Sequence, residues 1–312
     1  MLKILFAPLQ GYTTGIYRKA HAEIFGGVDA YYAPFLRIEN GKPREKDLRD
    51  LDASTIPQII ANGVDEFKSL ANALITKGYT EIDFNMGCPF PMQVNRHRGA
   101  GLLSDKQAVQ VIMDEIKKLS SAANGTAPVK FSVKMRLGQN SPDEAFALLP
   151  ILNETPLAHI TIHPRLGKQQ YKGAIDFNAF ERFYNECTHP LVYNGDITSV
   201  SQICEMERRY PKLTGVMIGR GLLAQPSLAA EYKGLCDTNC AASSQCFLGK
   251  ILQMHDIIFD YACKTYQGDS QILSHIQIFW EYLEPNIPKK IFKRIKKAGK
   301  LNEYNEAIAQ LK

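Results

Sequence analysis

Apolar and β-branched runs recur along the chain at Leu2–Phe6, Val28–Ala33, Ile56–Ala61, Glu81–Phe84, Val129–Met135, His159–His163, Leu191–Tyr193 and Gly215–Ile218. Each has strand length, and turn-forming residues interrupt the chain between them. Between most of these runs the apolar positions change to helical spacing. Phe67, Leu70, Ala71, Leu74 and Ile75 do so after Asp65, and Ala108, Val109, Ile112, Ile116 and Leu119 after Asp105. Strands alternating with helices in this way predict an α/β chain folded as a (β/α)8 TIM barrel. No G-x-G-x-x-G follows the first strand, which disfavours a doubly wound open sheet. The stretch after Val28–Ala33 is too polar for a regular helix, so the second βα unit is expected to be irregular.

From Cys236 the periodicity changes. Asp237–Gln245 is rich in Ala, Ser and Asn and reads as a linker. Beyond it only helical spacing remains, at Phe247–Tyr266, Ile272–Leu283, Ile287–Ala298 and Glu303–Leu311. The expected organisation is a barrel domain over residues 1–236 and a small C-terminal helical bundle domain over 245–312. In its third helix Ile287, Ile291 and Ile295 form one apolar face. Lys289, Lys290, Lys293, Arg294, Lys296, Lys297 and Lys300 surround that face, with no acid between 289 and 300. Such a patch is either a solvated face or a surface for a phosphate backbone.

Composition changes this picture little. The chain has 312 residues, 45% hydrophobic and 22% charged, as ordinary globular proteins do. No apolar run is long enough to cross a bilayer, and the N-terminus lacks the features of a signal peptide, so a cytoplasmic protein without membrane partners is expected. The excess of 37 basic over 32 acidic residues is modest, so the placement of charge matters more than its total. The seven cysteines, at 88, 187, 204, 236, 240, 246 and 263, are odd in number and scattered, which predicts reduced thiols rather than a disulfide framework. Cys236, Cys240 and Cys246 lack the spacing and fourth ligand of a metal or iron–sulfur site, and no metal is expected.

In a (β/α)8 barrel the reactive groups gather at the C-terminal ends of the strands. Those ends carry Ala7-Pro8-Leu9, Gln58, Asn85 and Cys88, Lys134 and Arg136, His163 and Arg165, Asn194-Gly195-Asp196, and Gly219-Arg220-Gly221. Any one of them has an ordinary explanation: a packed thiol, a surface lysine, a core histidine, a turn. Seven in register at one face point to a site. Glycines after the seventh and eighth strands expose backbone N–H groups, and Arg220 adds a charged donor, the parts of a phosphate cradle. With an inward lysine, these parts suit a phosphorylated cofactor, and FMN fits them.

The chain resembles the tRNA-dihydrouridine synthases. The matching stretches are Ala7-Pro8-Leu9 with Gly11, Thr13 and Arg18; Pro57-Gln58; Asn85-Met86-Gly87-Cys88-Pro89 with Val94 and Asn95; Gly99–Leu103; Val133–Arg136; His163-Pro164-Arg165 with Tyr171-Lys172-Gly173; Asn194-Gly195-Asp196; and Ile218–Gly221. The resemblance implies a flavoenzyme that uses NADPH to reduce FMN and then saturates the C5–C6 bond of a uridine in tRNA. It places FMN against Ala7, Pro8, Leu9, Gln58, Asn85, Lys134, His163, Asn194, Gly195, Asp196, Gly219 and Arg220, and makes Cys88 the proton donor. The base must leave the RNA stack to react, so a gripping surface is needed. The candidates are Arg96, Arg98, Arg136 and Arg165 near the site, and Lys289, Lys290, Lys293, Arg294, Lys296 and Lys297 on the basic helix. Leu9 stands where the family usually has Met, and Thr14 where it has Asp. The alternatives are a flavin-dependent dehydrogenase of a free pyrimidine and a non-catalytic RNA-binding barrel. A monomer is expected; which uridine is modified is left open.

Overall fold

The computed structural model describes residues 1–121, 128–235 and 244–312. Parallel strands form a ring: β1 (Lys3–Phe6), β2 (Ala30–Tyr32), β5 (Thr55–Ile56), β6 (Gln58–Ile59), β7 (Glu81–Met86), β8 (Lys130–Gly138), β9 (Leu157–Leu166), β10 (Leu191–Tyr193) and β11 (Leu213–Ile218). Their order is β5-β2-β1-β11-β10-β9-β8-β7-β6. The expected third strand is thus in two pieces. Thr55 and Ile56 pair with β2, whereas Gln58 and Ile59 pair with β7. Pro57 lies between them and has no N–H to give either neighbour; its carbonyl accepts from Asp83 N at 2.9 Å. One run of chain therefore changes partners at a proline, and the eight-stranded barrel closes there.

The irregular second unit is a two-stranded antiparallel hairpin, β3 (Ile38–Glu39) with β4 (Lys42–Pro43), followed by a short helix Glu45–Arg49. Its turn is Asn40-Gly41, with φ of 51° and 76°. Two left-handed residues match the twist of the flanking strands, which is why Asn-Gly marks such turns. Regular helices cover the rest of the barrel. Val64–Thr76 buries Phe67, Leu70, Ala71 and Leu74, and Lys106–Ser120 buries Val109, Ile112, Met113 and Ile116. Asp105 caps the latter by accepting from Ala108 N at 2.9 Å.

The C-terminal helices are Ser244–Thr265, Asp269–Phe279, Lys289–Lys297 and Leu301–Ala309. The helix expected to run to Leu283 stops at Phe279, and a 3-10 stretch, Glu281–Asn286, holding Pro285 takes over. That stretch is drawn to the barrel. Tyr12 donates to Glu281 Oε1 at 2.8 Å, and the rings of Tyr12 and Tyr282 meet edge to face at 5.2 Å. Phe25 with Phe247, and Tyr17 with Phe279, extend the junction. Barrel and helices share one hydrophobic cluster, from Ile4 and Leu70 to Ile276, Trp280 and Tyr304.

The expected linker falls almost wholly outside the described residues, as do Cys236 and Cys240. Cys246 is disulfide-bonded, which corrects the expectation that every thiol is reduced. An odd number of scattered cysteines disfavours a framework over the whole chain, but it does not exclude a single bridge. No described helix is long and apolar enough to cross a membrane.

Candidate active site

A cavity of about 710 Å3 opens at the C-terminal ends of the barrel strands. It lies within the range of small-molecule sites. Its wall brings together Ala7, Pro8 and Leu9 after β1, Asn85 and Cys88 at the end of β7, Lys134 and Arg136 on β8, and His163 on β9. Asn194, Gly195 and Asp196 follow from β10, and Gly219 and Arg220 from β11. Residues spread over more than two hundred positions thus converge because each sits at the same end of a parallel strand.

The turn bearing Cys88 is held on every side. Asn85 Oδ1 accepts from Gly87 N at 3.0 Å and from Cys88 N at 2.9 Å, an Asx turn that ends the strand. Arg136 Nε donates to the Gly87 carbonyl at 3.0 Å, and Ala100 N to that of Cys88 at 3.0 Å. Gly99 packs directly behind, with φ +60°; a Cβ there would lie 2.8 Å from Cys88 Cβ and 2.7 Å from its carbonyl oxygen. Only glycine fits that position. Cys88 is 7% exposed. Burial pushes its thiol up, and this outweighs the opposite pull of the Phe90 backbone amide, Arg136 and Lys134, so the sulfur stays protonated at neutral pH.

The rest of the wall is cationic. Lys134 has no ion-pair partner among the described residues, and burial followed by repulsion from Arg136 lowers it to about 8. Arg136 is lowered to about 10, chiefly by burial, and its guanidinium lies 5.5 Å from the Tyr171 ring centre. Arg220 lies 4.8 Å from the centre of the same ring. Burial and the cations around it take His163 well below its ordinary value, so its imidazole is neutral. Asp196, at φ +44°, gathers the arginines: Arg165 grips it with two nitrogens, and Arg220 donates at 2.8 Å. Hydrogen bonding from Arg165 holds the Asp196 carboxyl below the usual range. Backbone groups at Gly195 and Gly219, an arginine and an unpaired lysine make a wall suited to an anionic ligand such as FMN.

Four of the expected site residues, Gln58, Arg98, Arg136 and Arg165, are buried. Gln58 is fully buried and outside the cavity lining; its amide donates to Asp83 and accepts from Asn85. Arg98 is buried and ion-paired with Glu66. Arg136 and Arg165 are also buried, so neither lies on an outer RNA-gripping surface: Arg136 faces the cavity, while Arg165 spends its donors on Asp196 and the Gly173 carbonyl. Arg96 is exposed. On the basic helix Lys289, Lys290, Lys293 and Lys297 are exposed, Arg294 pairs with Glu306 at 3.6 Å, and Lys296 bonds the Gln277 carbonyl at 3.3 Å. Glu303 and Glu306 of the next helix line the same basin, so the patch is less purely basic than residues 289–300 suggest. Aromatic rings that strand-end reasoning passed over frame the mouth: Phe35, Phe90, Tyr12 and Tyr282. Phe90 is 53% exposed immediately after the Cys88-Pro89 turn. Tyr282 comes from the helical segment, and no local periodicity signals that it reaches the barrel.

Fold and site together define a (β/α)8-barrel enzyme with a cavity lined by Lys134, Arg136 and Arg220 and a thiol in its wall. Solved structures agree on the fold. An old yellow enzyme from Trypanosoma cruzi superposes with TM-score 0.50 and 9% identity over 75% of this chain and 89% of that one. A morphinone reductase mutant in complex with tetrahydroNAD gives 0.51 and 11% over 75% and 87%. Sequence relatives go further. A tRNA-dihydrouridine(16) synthase from Haemophilus ducreyi is 26% identical over 93% of this chain and 88% of its own length. One from Pseudomonas syringae pv. tomato is 30% identical over 74% of each. The family pattern described as dihydrouridine synthase matches residues 5–311, and the chain belongs to that family of oxidoreductases.

Proposed function

We propose that this chain binds FMN in the barrel cavity and reduces the C5–C6 bond of the uridine at position 16 of tRNA, with NADPH as reductant and Cys88 as the acid. The observation that carries the reading is a recessed thiol kept protonated by burial beside a cationic wall. FMN, once reduced by NADPH, would supply the hydride for C6 of the pyrimidine. Cys88 gives the matching proton to C5, and its thiolate is reprotonated from solvent. Lys134 would offer its charge to the flavin ring, neutral His163 a hydrogen bond, and Arg220 with the backbone at Gly195 and Gly219 a seat for the phosphate. Asn85, which lines the cavity beside the Cys88 turn, would lie next to the bound cofactor.

The cavity lies below the surface, so the uridine must be extruded to reach it. Arg96 and the exposed lysines 289, 290, 293 and 297 supply backbone contacts, and the segment 245–312 orients the RNA over the barrel of residues 1–236. The protein works as a monomer in the cytoplasm, where its substrate is. The choice of position 16 follows the names of its relatives.

The test uses Cys88→Ala purified with its flavin. NADPH is expected to bleach the flavin while no dihydrouridine forms; product at the wild-type rate removes Cys88 from the chemistry. Mapping dihydrouridine in tRNA from cells with and without the gene should show loss at position 16, and loss elsewhere with 16 intact would refute that choice.

A further inference from the structure

Beneath the cavity floor lies a chain of buried polar groups that begins away from any ligand-facing surface. Gln58, Asp83 and Ser132 are register partners across β6, β7 and β8. All three are buried, Asp83 and Gln58 completely. Asp83 Oδ2 accepts from Gln58 Nε2 at 2.6 Å, and Asp83 Oδ1 from Ser132 Oγ at 2.6 Å. Gln58 Oε1 in turn accepts from Asn85 Nδ2 at 2.7 Å. Asn85 Oδ1 then holds the amides of Gly87 and Cys88.

The direction of these bonds has one source. A carboxylate can only accept, so the Gln58 amide must turn its NH2 toward Asp83 and its oxygen toward Asn85. Asn85 must then present its own NH2 to Gln58, which leaves its oxygen for the two loop amides. If the first link turned over, every later link would turn with it, and Asn85 would offer donors to donors at Gly87 and Cys88. A buried clash of that kind is too unfavourable to persist, and the turn would shift.

We propose that Asp83 is a positioning residue that sets the polarity of the Gln58–Asn85 relay and thereby fixes the turn carrying Cys88. This rests on the reading of Cys88 as the acid, because a proton donor must hold its distance to the reacting carbon. Asp83 itself meets neither cofactor nor substrate.

The test reverses the polarity in the flavin-loaded full-length protein. Asn85→Asp alone sets carboxylates on both sides of Gln58, whose single amide cannot donate to both. The double variant D83N/N85D satisfies every link in the opposite sense. The amide introduced at position 83 donates to Gln58, and Gln58 donates to the carboxylate introduced at position 85. That carboxylate still accepts from both loop amides. Two properties are read, the melting temperature and the iodoacetamide alkylation rate of Cys88. N85D is expected to melt lower and to change the alkylation rate by about fivefold or more. D83N/N85D should recover most of both, although it keeps the carboxylate at position 85.

The pair Gln58→Glu and D83N/Q58E repeats the logic without altering Asn85. Rescue in either pair, including a soluble double variant from an insoluble single one, supports the relay. Double variants as damaged as their single parents in both pairs overturn it. None of these readouts needs turnover. If Cys88→Ala still makes dihydrouridine, the acid assignment fails by itself, and the coupling between Asp83, Gln58 and Asn85 is judged separately.

Discussion

Cys88 sits between opposed influences, burial pushing its proton affinity up and the Phe90 backbone amide and two cations pulling it down, and burial wins. An acid with a raised value stays competent through neutral pH and fails only when it ionises. Single-turnover formation of dihydrouridine from pre-reduced enzyme should therefore be flat from about pH 6 to 8 and fall in the alkaline range, while alkylation of Cys88 keeps rising beyond ~9, the region of an unperturbed thiol. A plateau of alkylation at neutral pH would mean a thiolate and would sink the assignment. Lys134 carries the complementary prediction. It is lowered to about 8, and an anionic ligand favours its charged form. Binding of FMN should then take up a proton, and affinity should weaken as pH rises through about 8; titration by flavin fluorescence at about pH 7 and 9 checks the sign. Gly99→Ala forces a methyl into Cys88 from a left-handed backbone position. It should destabilise the protein by about 2 kcal/mol or more in denaturant titrations and slow product formation with it.

Among the elements, the basic helix Lys289–Lys297 is the clearest case of sequence reasoning reaching part of an answer. Ile295 is buried and Lys289, Lys290, Lys293 and Lys297 point to water, as the spacing demanded. The acids opposite, Glu303 and Glu306, come from the following helix and join the patch only when the two pack together. Replacing Lys290, Lys293 and Lys297 by Ala should weaken tRNA binding and reduce the slope of log affinity against log salt by roughly 2–3, about one for each lost phosphate contact. An unchanged slope would place the RNA elsewhere. The hairpin at Asn40-Gly41 is legible from that dipeptide alone, yet the polar stretch around it gives only irregularity until the turn signal is used. The break at Pro57 is a different matter. A proline inside an apolar run signals weakened pairing, but which neighbour takes each half is settled by ring closure.

Among the described residues the largest hydrophobic cluster spans both the barrel and the helical segment. The aromatic contacts Tyr17–Phe279 and Phe25–Phe247 tie the helical segment to the first barrel helix, and the hydrophobic cluster runs unbroken through both. The composition shift near residue 236 marks a change of architecture, not a separation of cores. Thermal unfolding should accordingly show one cooperative transition by both flavin fluorescence and far-UV circular dichroism. Phe279→Ala should lower that single midpoint, with a loss of about 3 kcal/mol from the cavity it leaves. Two transitions, with only the later one releasing flavin, would show that the helices fold apart from the barrel.

The sequence alone determined the alternation of strands and helices, the strand ends that carry chemistry, and the asparagine, glycine and cysteine of the reactive turn. These are local matters, set by side-chain period, backbone preference and residue chemistry within a few positions. What tertiary structure decided depends on groups distant in the chain. Arg98 reads as a surface cation beside the site, whereas in the folded chain it is buried and paired with Glu66. Gln58 reads as a strand-end polar group, and only the closed barrel shows that it bonds Asp83 on one side and Asn85 on the other. The protonation of Cys88 likewise reflects the depth at which the barrel holds it. Burial and pairing are properties of what surrounds a residue, and those surroundings exist only after the strands have closed.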